Sequence, residues 1–143
     1  MSLLETIEQL AAARPLDKRA VEQHLGVALR GDPENQNRYI QVLKSFRVPA
    51  GIDAVELRVP LRGATRKDGF LIVDLDGRVA EAISQDDVRS RFGGDPLVDL
   101  PTAAQPAEAP VYLSYEHPWG ALRFGFGRPG AERLTTLVVD VER

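Results

Sequence analysis

The amino-acid sequence predicts a single α+β domain over residues 1–143, built from two tandem αβββ-like units at about 16–77 and 83–143. The first observation behind this prediction is the order of the predicted elements: two helices, three strands, a third helix and three further strands. The second is that the two halves match residue by residue at a nearly constant spacing. We therefore expect a largely antiparallel sheet, with one extra helix at the N-terminus.

Capping signals delimit the three helices. Ser2 and Glu5 form a capping-box pattern that opens the first helix. Pro15 ends it, because the residue before a proline is pushed out of the α region. The other two helices each begin at a polar cap and stop at a glycine: Asp17 with Gly26, and Ser84 with Gly93.

Six strands are predicted from apolar runs that are bounded by turn residues. They cover residues 39–48, 54–61, 70–75, 111–116, 121–127 and 134–141. Residues 54–61 alternate most clearly and place four apolar side chains on one face: Val55, Leu57, Val59 and Leu61. The same period in residues 39–48 groups Ile40, Val42, Phe46 and Val48. Residues 95–110 contain four prolines and are expected to form an extended loop.

The two halves share residues at spacings of 66 to 67. Val21 corresponds to Val88, and residues 71–75 correspond to residues 137–141. A proline and a glycine also flank one variable position after the first predicted strand of each half, as Pro49-Ala50-Gly51 and Pro118-Trp119-Gly120. One unit alone would expose an apolar sheet face, so a shared core gives a physical reason for an internal duplication.

The second half resembles a known module. Ser84-Gln85-Asp86-Asp87-Val88 with Gly93, followed by Pro96, Tyr112 and a three-strand meander, is similar to the helix-plus-meander unit of the SmpA/OmlA lipoproteins and of the β-lactamase inhibitor proteins. Residues 119–126 have a looser likeness to bacterial immunity proteins. The resemblance implies a tandem architecture and the binding of proteins on an exposed sheet face. Membrane anchoring does not carry over, because this chain has no cysteine to lipidate.

Composition excludes several classes of function. Without cysteine there are no disulfides, no thiolate catalysis and no cysteine metal sites. The formal net charge of −3 argues against a nucleic-acid binder held by phosphate contacts. No apolar run approaches the roughly 18–20 residues of a membrane-spanning helix. The first residues do not form a secretory signal pattern, so we expect a cytoplasmic protein without membrane contact.

One catalytic motif needs consideration. Residues 70–77 resemble the signature of the haloacid-dehalogenase phosphatases, in which a strand delivers a nucleophilic aspartate, here Asp74, and an acid/base aspartate, here Asp76. However, Arg78 stands where that family usually has threonine, and no lysine follows Lys67 to balance the charge of a phosphate. We therefore interpret the segment as a strand followed by a turn, and predict that the chain is not an enzyme and has no cofactor. The two histidines lack the spacing of a metal site: His24 and His117.

The candidate contact residues lie in the second half. Five of the nine aromatic residues fall between positions 112 and 126. Aromatic and arginine side chains dominate the binding energy of protein interfaces, so the predicted protein-binding residues are Tyr112, Tyr115, Trp119 and Arg123. Trp119 lies in a turn, where it either caps the core or belongs to an interface.

These observations favour a non-catalytic protein-binding function. We expect an inhibitor or an immunity protein that neutralises a partner, and the acidic balance suits a basic toxin or effector. The alternative is a small acidic secretion chaperone of the cytosol. Such chaperones usually end in a helix, whereas this chain ends in a predicted strand over residues 134–141.

Overall fold

The structure, a computed structural model, describes residues 2–13, 15–64, 68–80, 82–100, 103–105, 109–127 and 132–141. These residues form three helices and eight strands, which confirms the α+β class. The helices are α1 Leu3–Ala12, α2 Lys18–Leu25 and α3 Gln85–Phe92. The strands are β1 Ala28–Gly31, β2 Ile40–Arg47, β3 Ile52–Pro60, β4 Phe70–Leu75, β5 Leu97–Asp99, β6 Val111–His117, β7 Gly120–Phe126 and β8 Leu134–Val141.

The helix caps form as the sequence predicts. The Ser2 hydroxyl accepts from the Glu5 N–H at 3.2 Å, and Asp17 caps α2 through the Ala20 N–H at 3.0 Å. At α3 the box is reciprocal, because the Ser84 hydroxyl accepts from the Asp87 N–H and the Asp87 carboxylate accepts from the Ser84 N–H. Each cap satisfies backbone donors that a helix N-terminus leaves without an internal partner.

All eight strands belong to one antiparallel sheet in the order β1-β2-β3-β4-β8-β7-β6-β5. The prediction of six strands was therefore too low. The two additional strands, β1 and β5, are short and lie at the two outer edges of the sheet. Neither has the alternating apolar pattern of a half-buried strand. Each forms a strand because it pairs with a longer neighbour, β1 with β2 and β5 with β6. Within the proline-rich segment, residues 97–99 thus form a strand, while residues 101–102 and 106–108 lie outside the described residues.

The tandem duplication stays a prediction, although the strand order is compatible with it. The order of the first four strands is mirrored by the last four across the central β4–β8 pair. The register of that pair is symmetric about Ile72 and Val138, because Leu71 faces Val139 and Val73 faces Leu137. Each half has four described strands rather than the three of an αβββ unit.

The core lies between the three helices and one face of the sheet. Ile7 and Leu10 of α1, Val21 of α2 and Val88 of α3 are buried in one apolar cluster. The sheet contributes its own buried side chains to this cluster, among them Leu57, Leu71, Leu113, Phe124 and Val139. The described helices therefore all cover the same face. We call the opposite side the helix-free face, and define it by the cross-strand row Lys44, Glu56, Ile72, Val138, Arg123 and Ser114.

None of the helices among the described residues is long and apolar enough to cross a bilayer.

Candidate functional site

The helix-free face carries two of the four predicted contact residues. Tyr112 and Arg123 point to it, since Tyr112 pairs with Gly125 and Arg123 pairs with Val138. Its centre is partly closed, because Val138 is 7% exposed and Ala121 is 2% exposed although neither belongs to the core cluster. Polar and aromatic side chains surround this centre.

Tyr112 lies in a cluster with Thr136 and Asp74. The Thr136 hydroxyl donates to the Asp74 carboxylate at 3.3 Å, and a side-chain hydrogen bond joins Thr136 to Tyr112. Burial raises the pKa of Asp74, and the nearby carboxylates of Asp53 and Glu56 raise it further, whereas the Thr136 hydrogen bond acts in the opposite direction. Burial also raises the pKa of Tyr112, with a smaller contribution from the charge of Asp74. Carboxylates of Asp74, Asp53 and Glu56 therefore act on one another at this part of the sheet.

Arg123 has a structural partner on the same face. Its guanidinium donates to the Asp140 carboxylate at 3.0 Å. Asp140 is 4% exposed, while Arg123 is half-buried. A carboxylate this buried requires a cation or donors beside it, so Arg123 stabilises the sheet in addition to any role in binding.

The β1–β2 end of the helix-free face carries a group of aromatic and basic side chains. Phe46 is 51% exposed, and the guanidinium carbons of Arg30 and Arg47 lie 5.4 and 5.8 Å from its ring centroid. Arg58 approaches the Phe70 ring in the same manner at 5.5 Å. Distances in this range are typical of cation–π interactions, and such an interaction keeps a flexible arginine side chain beside an aromatic ring.

Phe46 was not among the predicted contact residues. The sequence period does group it with Val42, and both lie on the helix-free side. The sequence of β2 does not indicate which of its sides faces the helices, because apolar residues stand on both sides. Val42 and Leu43, which point to opposite faces, are both buried. The adjacent arginine at position 47 was the one available hint of an interface.

Ion pairs extend this group along the sheet. Lys44 contacts Asp32 at 2.9 Å and Glu56 at 3.9 Å, and Glu56 in turn contacts Arg58 at 2.8 Å. The Asn35 side chain and the Lys44 ammonium lower the pKa of Asp32. Both basic side chains are exposed, whereas Asp32 and Glu56 are half-buried, so salt screens these ion pairs and we expect a small contribution to stability from each.

Trp119 lies on the helix-covered side at the β6–β7 turn. Its indole stacks on the His117 imidazole, with ring centroids 4.9 Å apart and an interplanar angle of 5°. It is half-buried and packs against the core cluster, and it shares a shallow pocket with Phe92 and Leu122. The structure therefore separates Trp119 from the helix-free face on which Tyr112 and Arg123 lie.

Tyr115 lies in the core instead of on a surface. It is 9% exposed, and its ring contacts Phe92 at 5.9 Å and Phe124 at 6.0 Å between centroids. Its hydroxyl donates to the Gly93 carbonyl at 2.7 Å and so ties β6 to the end of α3. The side chain has little surface left for a partner, because the period of β6 places Tyr115 with Leu113 on the helix-covered side.

A second exposed apolar region lies at the β5 edge. Leu97, Val98 and Leu100 are 61%, 49% and 70% exposed. They belong to the proline-rich segment 95–110. An edge strand also directs half of its backbone hydrogen-bonding groups outward.

The two aspartates of the phosphatase-like motif lie in different surroundings. Asp74 is on the helix-free face, whereas the Asp76 carboxylate accepts from the Arg78 backbone N–H at 3.0 Å and from its guanidinium at 3.2 Å. The Arg78 hydrogen bonds lower the pKa of Asp76. This is the geometry of an Asx turn. Across the described ranges, no group of three or more His, Asp or Glu side chains is arranged to hold a metal ion.

No family model, no curated protein and no solved structure matches this chain. The resemblance to the lipoprotein and inhibitor modules therefore stays a prediction.

Proposed function

We propose that this chain is a non-catalytic protein-binding protein of inhibitor or immunity type, and that it neutralises a partner through the helix-free face. The observation that carries the proposal is the association of exposed aromatic and arginine side chains on a sheet face that no described helix covers. Phe46 with Arg30 and Arg47 forms one such group, and Tyr112 lies on the same face near the other end of the sheet. These residue types supply most hot spots of protein interfaces.

The carboxylates around Asp74 favour a basic group of the partner at that part of the face. Asp74 lies near Asp53 and Glu56, and these two carboxylates raise the cost of ionising Asp74 beyond the effect of its burial. A lysine or arginine from a partner would relieve that repulsion and would gain a charge-assisted hydrogen bond. A basic toxin or effector fits this requirement, and charge complementarity would also speed its association.

The test uses the protein encoded by the neighbouring gene as the candidate partner. Phe46→Ala and Tyr112→Ala should each weaken binding by about 30-fold or more, which corresponds to about 2 kcal/mol. Arg19→Ala, at an exposed position of α2 away from the helix-free face, is the control and should leave the affinity unchanged. Thermal melts confirm that each variant is folded. If both aromatic variants bind like the wild type, the helix-free face is not the interface.

The same titration separates neutralisation from the chaperone alternative. An inhibitor or immunity protein abolishes the activity of its folded partner at stoichiometric concentration. A secretion chaperone instead binds its client in an unfolded or partly folded form, and leaves the activity of the released client intact.

A further inference from the structure

The edge strand β5 exposes side chains on both faces of the sheet. It pairs with β6, and no described strand pairs with its other side. Leu97 and Asp99 face Ser114 and Tyr112 and so lie on the helix-free face, whereas Val98 lies on the helix-covered side. All three β5 residues are exposed. The backbone groups that point away from β6 therefore have no strand partner within the described ranges, and apolar side chains lie beside them.

The opposite edge of the sheet is better protected against pairing. In β1 the register shifts between Ala28 and Leu29, and Arg30 places a positive charge on the strand. A bulge and a charged side chain are two means by which proteins discourage a further strand from pairing with an edge. The pairing of β5 with β6 is regular instead, and Leu97 and Val98 are 61% and 49% exposed. An apolar edge of this kind can accept an additional strand.

The charge around β5 is negative. The sequence from position 92 to position 122 contains no lysine or arginine. Its acidic residues are Asp95, Asp99, Glu108 and Glu116. Asp95 and Asp99 are exposed, and neither forms an ion pair within the part of the chain that the structure describes. Arg89 approaches from α3, but its guanidinium donates to the Gly94 carbonyl at 3.3 Å. A strand that pairs with β5 therefore gains from basic side chains that reach these carboxylates.

We propose that β5 pairs with an extended segment of a partner protein in which basic and apolar residues alternate. The basic side chains of that segment lie on the helix-free face with Leu97 and Asp99, and the apolar ones lie on the other side with Val98. A lysine beside Leu97 also covers it with its methylene chain. The inference rests on the proposed protein-binding function, since the added strand continues the helix-free face beyond Ser114.

A second copy of this chain is a poorer occupant of the edge. Its own β5 would bring the same two carboxylates, Asp95 and Asp99, and no cation. Pro96 and Pro101 bound the strand, and because proline has no backbone N–H, pairing is confined to a short segment. Two strands of this length form a small contact beside the roughly 1,600 Å² that a stable dimer buries. A single inserted segment of a partner suits such an edge better.

The test uses as its probe the acetylated and amidated heptapeptide Lys-Val-Lys-Val-Lys-Val-Lys. In a titration followed by amide NMR shifts, we expect saturable changes at about millimolar peptide concentration, centred on Leu97, Val98 and Asp99. One control peptide has glutamate in place of every lysine and so reverses the charge. A second has proline in place of the central valine, which keeps the charge but disrupts strand pairing. Each control should bind at least about tenfold more weakly than the probe.

A protein variant tests the contribution of charge at the edge. Asp99→Asn changes an exposed residue, so it should fold normally and weaken binding of the lysine peptide severalfold. Asp86→Asn is the matched control, because it removes the same charge from an exposed position in the first turn of α3 and should leave peptide binding unchanged.

Several outcomes would overturn the inference. They are shifts that do not saturate or that map away from β5, equal affinity of the three peptides, and unchanged peptide binding by Asp99→Asn. Sedimentation of the protein alone tests the second copy, since a dimer that Leu97→Ser dissociates would replace the partner segment as the occupant. If the lysine peptide fails to bind while Phe46→Ala and Tyr112→Ala still weaken partner binding, the β5 inference fails and the proposed function stands.

Discussion

The Tyr112 ring lies so close to the backbone of Gly125 that a methyl group at position 125 would approach ring atom Cε1 to 2.9 Å. The two residues are direct cross-strand partners on β6 and β7. Glycine therefore lets the tyrosine lie over the neighbouring strand and reach Thr136 on β8, the next strand along. The orientation of a predicted contact residue thus depends on the absence of a side chain on the strand beside it.

We expect Gly125→Ala to destabilise the fold by about 1–3 kcal/mol, as overpacking does. The methyl group would also meet Pro110 at 3.3 Å, so the tyrosine ring cannot be the only group to move. Denaturant unfolding gives the free energies, and a double-mutant cycle with Tyr112→Ala isolates the ring contact. Gly125→Ala should lower the free energy of unfolding by less in the Tyr112→Ala background than in the wild type. An equal loss in both backgrounds would show that the ring is not what excludes the methyl group.

Arg123→Ala should lower the free energy of unfolding by about 1–3 kcal/mol, because it removes a charge-assisted hydrogen bond from the buried Asp140. Arg19→Ala on the exposed surface of α2 should change it by less than about 0.5 kcal/mol. Chemical denaturation of both variants at neutral pH makes the comparison. Equal stabilities would mean that the ion pair contributes nothing to the fold, and that Arg123 is available to a partner without cost.

Asp74→Asn should stabilise the protein at neutral pH. Burial raises the pKa of Asp74 in the folded state, so the native protein holds this proton more tightly than the unfolded chain does. The associated stability is present at low pH and is lost as pH rises from the ordinary aspartate pKa through the raised one. Asparagine keeps an acceptor for Thr136 without the charge. The advantage of the variant should therefore shrink as the pH falls through that window.

Asp76→Asn is the control, because its effect on the free energy of unfolding at neutral pH should be opposite to that of Asp74→Asn. The hydrogen bonds from Arg78 lower the pKa of Asp76, so its contribution is present above the ordinary pKa and is lost as the pH falls through the lowered one. This variant should be less stable than the wild type at neutral pH. Urea unfolding of both variants between neutral and acid pH measures the two trends, and trends of the same sign would contradict these assignments.

Phe124→Ala should cost about 3–5 kcal/mol, because the ring is fully buried and contacts Phe92 at 4.8 Å between centroids. Trp119→Ala should cost less, about 1–2 kcal/mol, since the indole is half-buried. Free energies from denaturant unfolding decide the order of the two. A loss at Trp119 as large as that at Phe124 would identify Trp119 as a full core residue.

Local signals were sufficient for much of the fold. The N-caps of the three helices are Ser2, Asp17 and Ser84, as predicted, because each of these side chains accepts a hydrogen bond from a backbone N–H only three residues away. The alternation in β3 correctly predicted the burial of Val55 and Leu57, since successive side chains of a strand point to opposite faces. It was wrong for Leu61, which lies beyond the end of β3 and is 39% exposed. Both signals act within one element and need no knowledge of its neighbours.

The arrangement of the candidate site required the tertiary structure. Residues 28–31 and 97–99 become strands only because a longer strand pairs with each of them. The sequence alone places Tyr112 and Tyr115 on opposite faces of β6, but whether a face meets helices or solvent depends on the packing of all three helices. Likewise, Asp74 meets Thr136 only through the β4–β8 pairing, whose two strands are separated by 58 residues of chain. Caps and periods are therefore determined by short-range geometry, whereas the contents of the helix-free face are determined by strand order and register, which no local pattern contains.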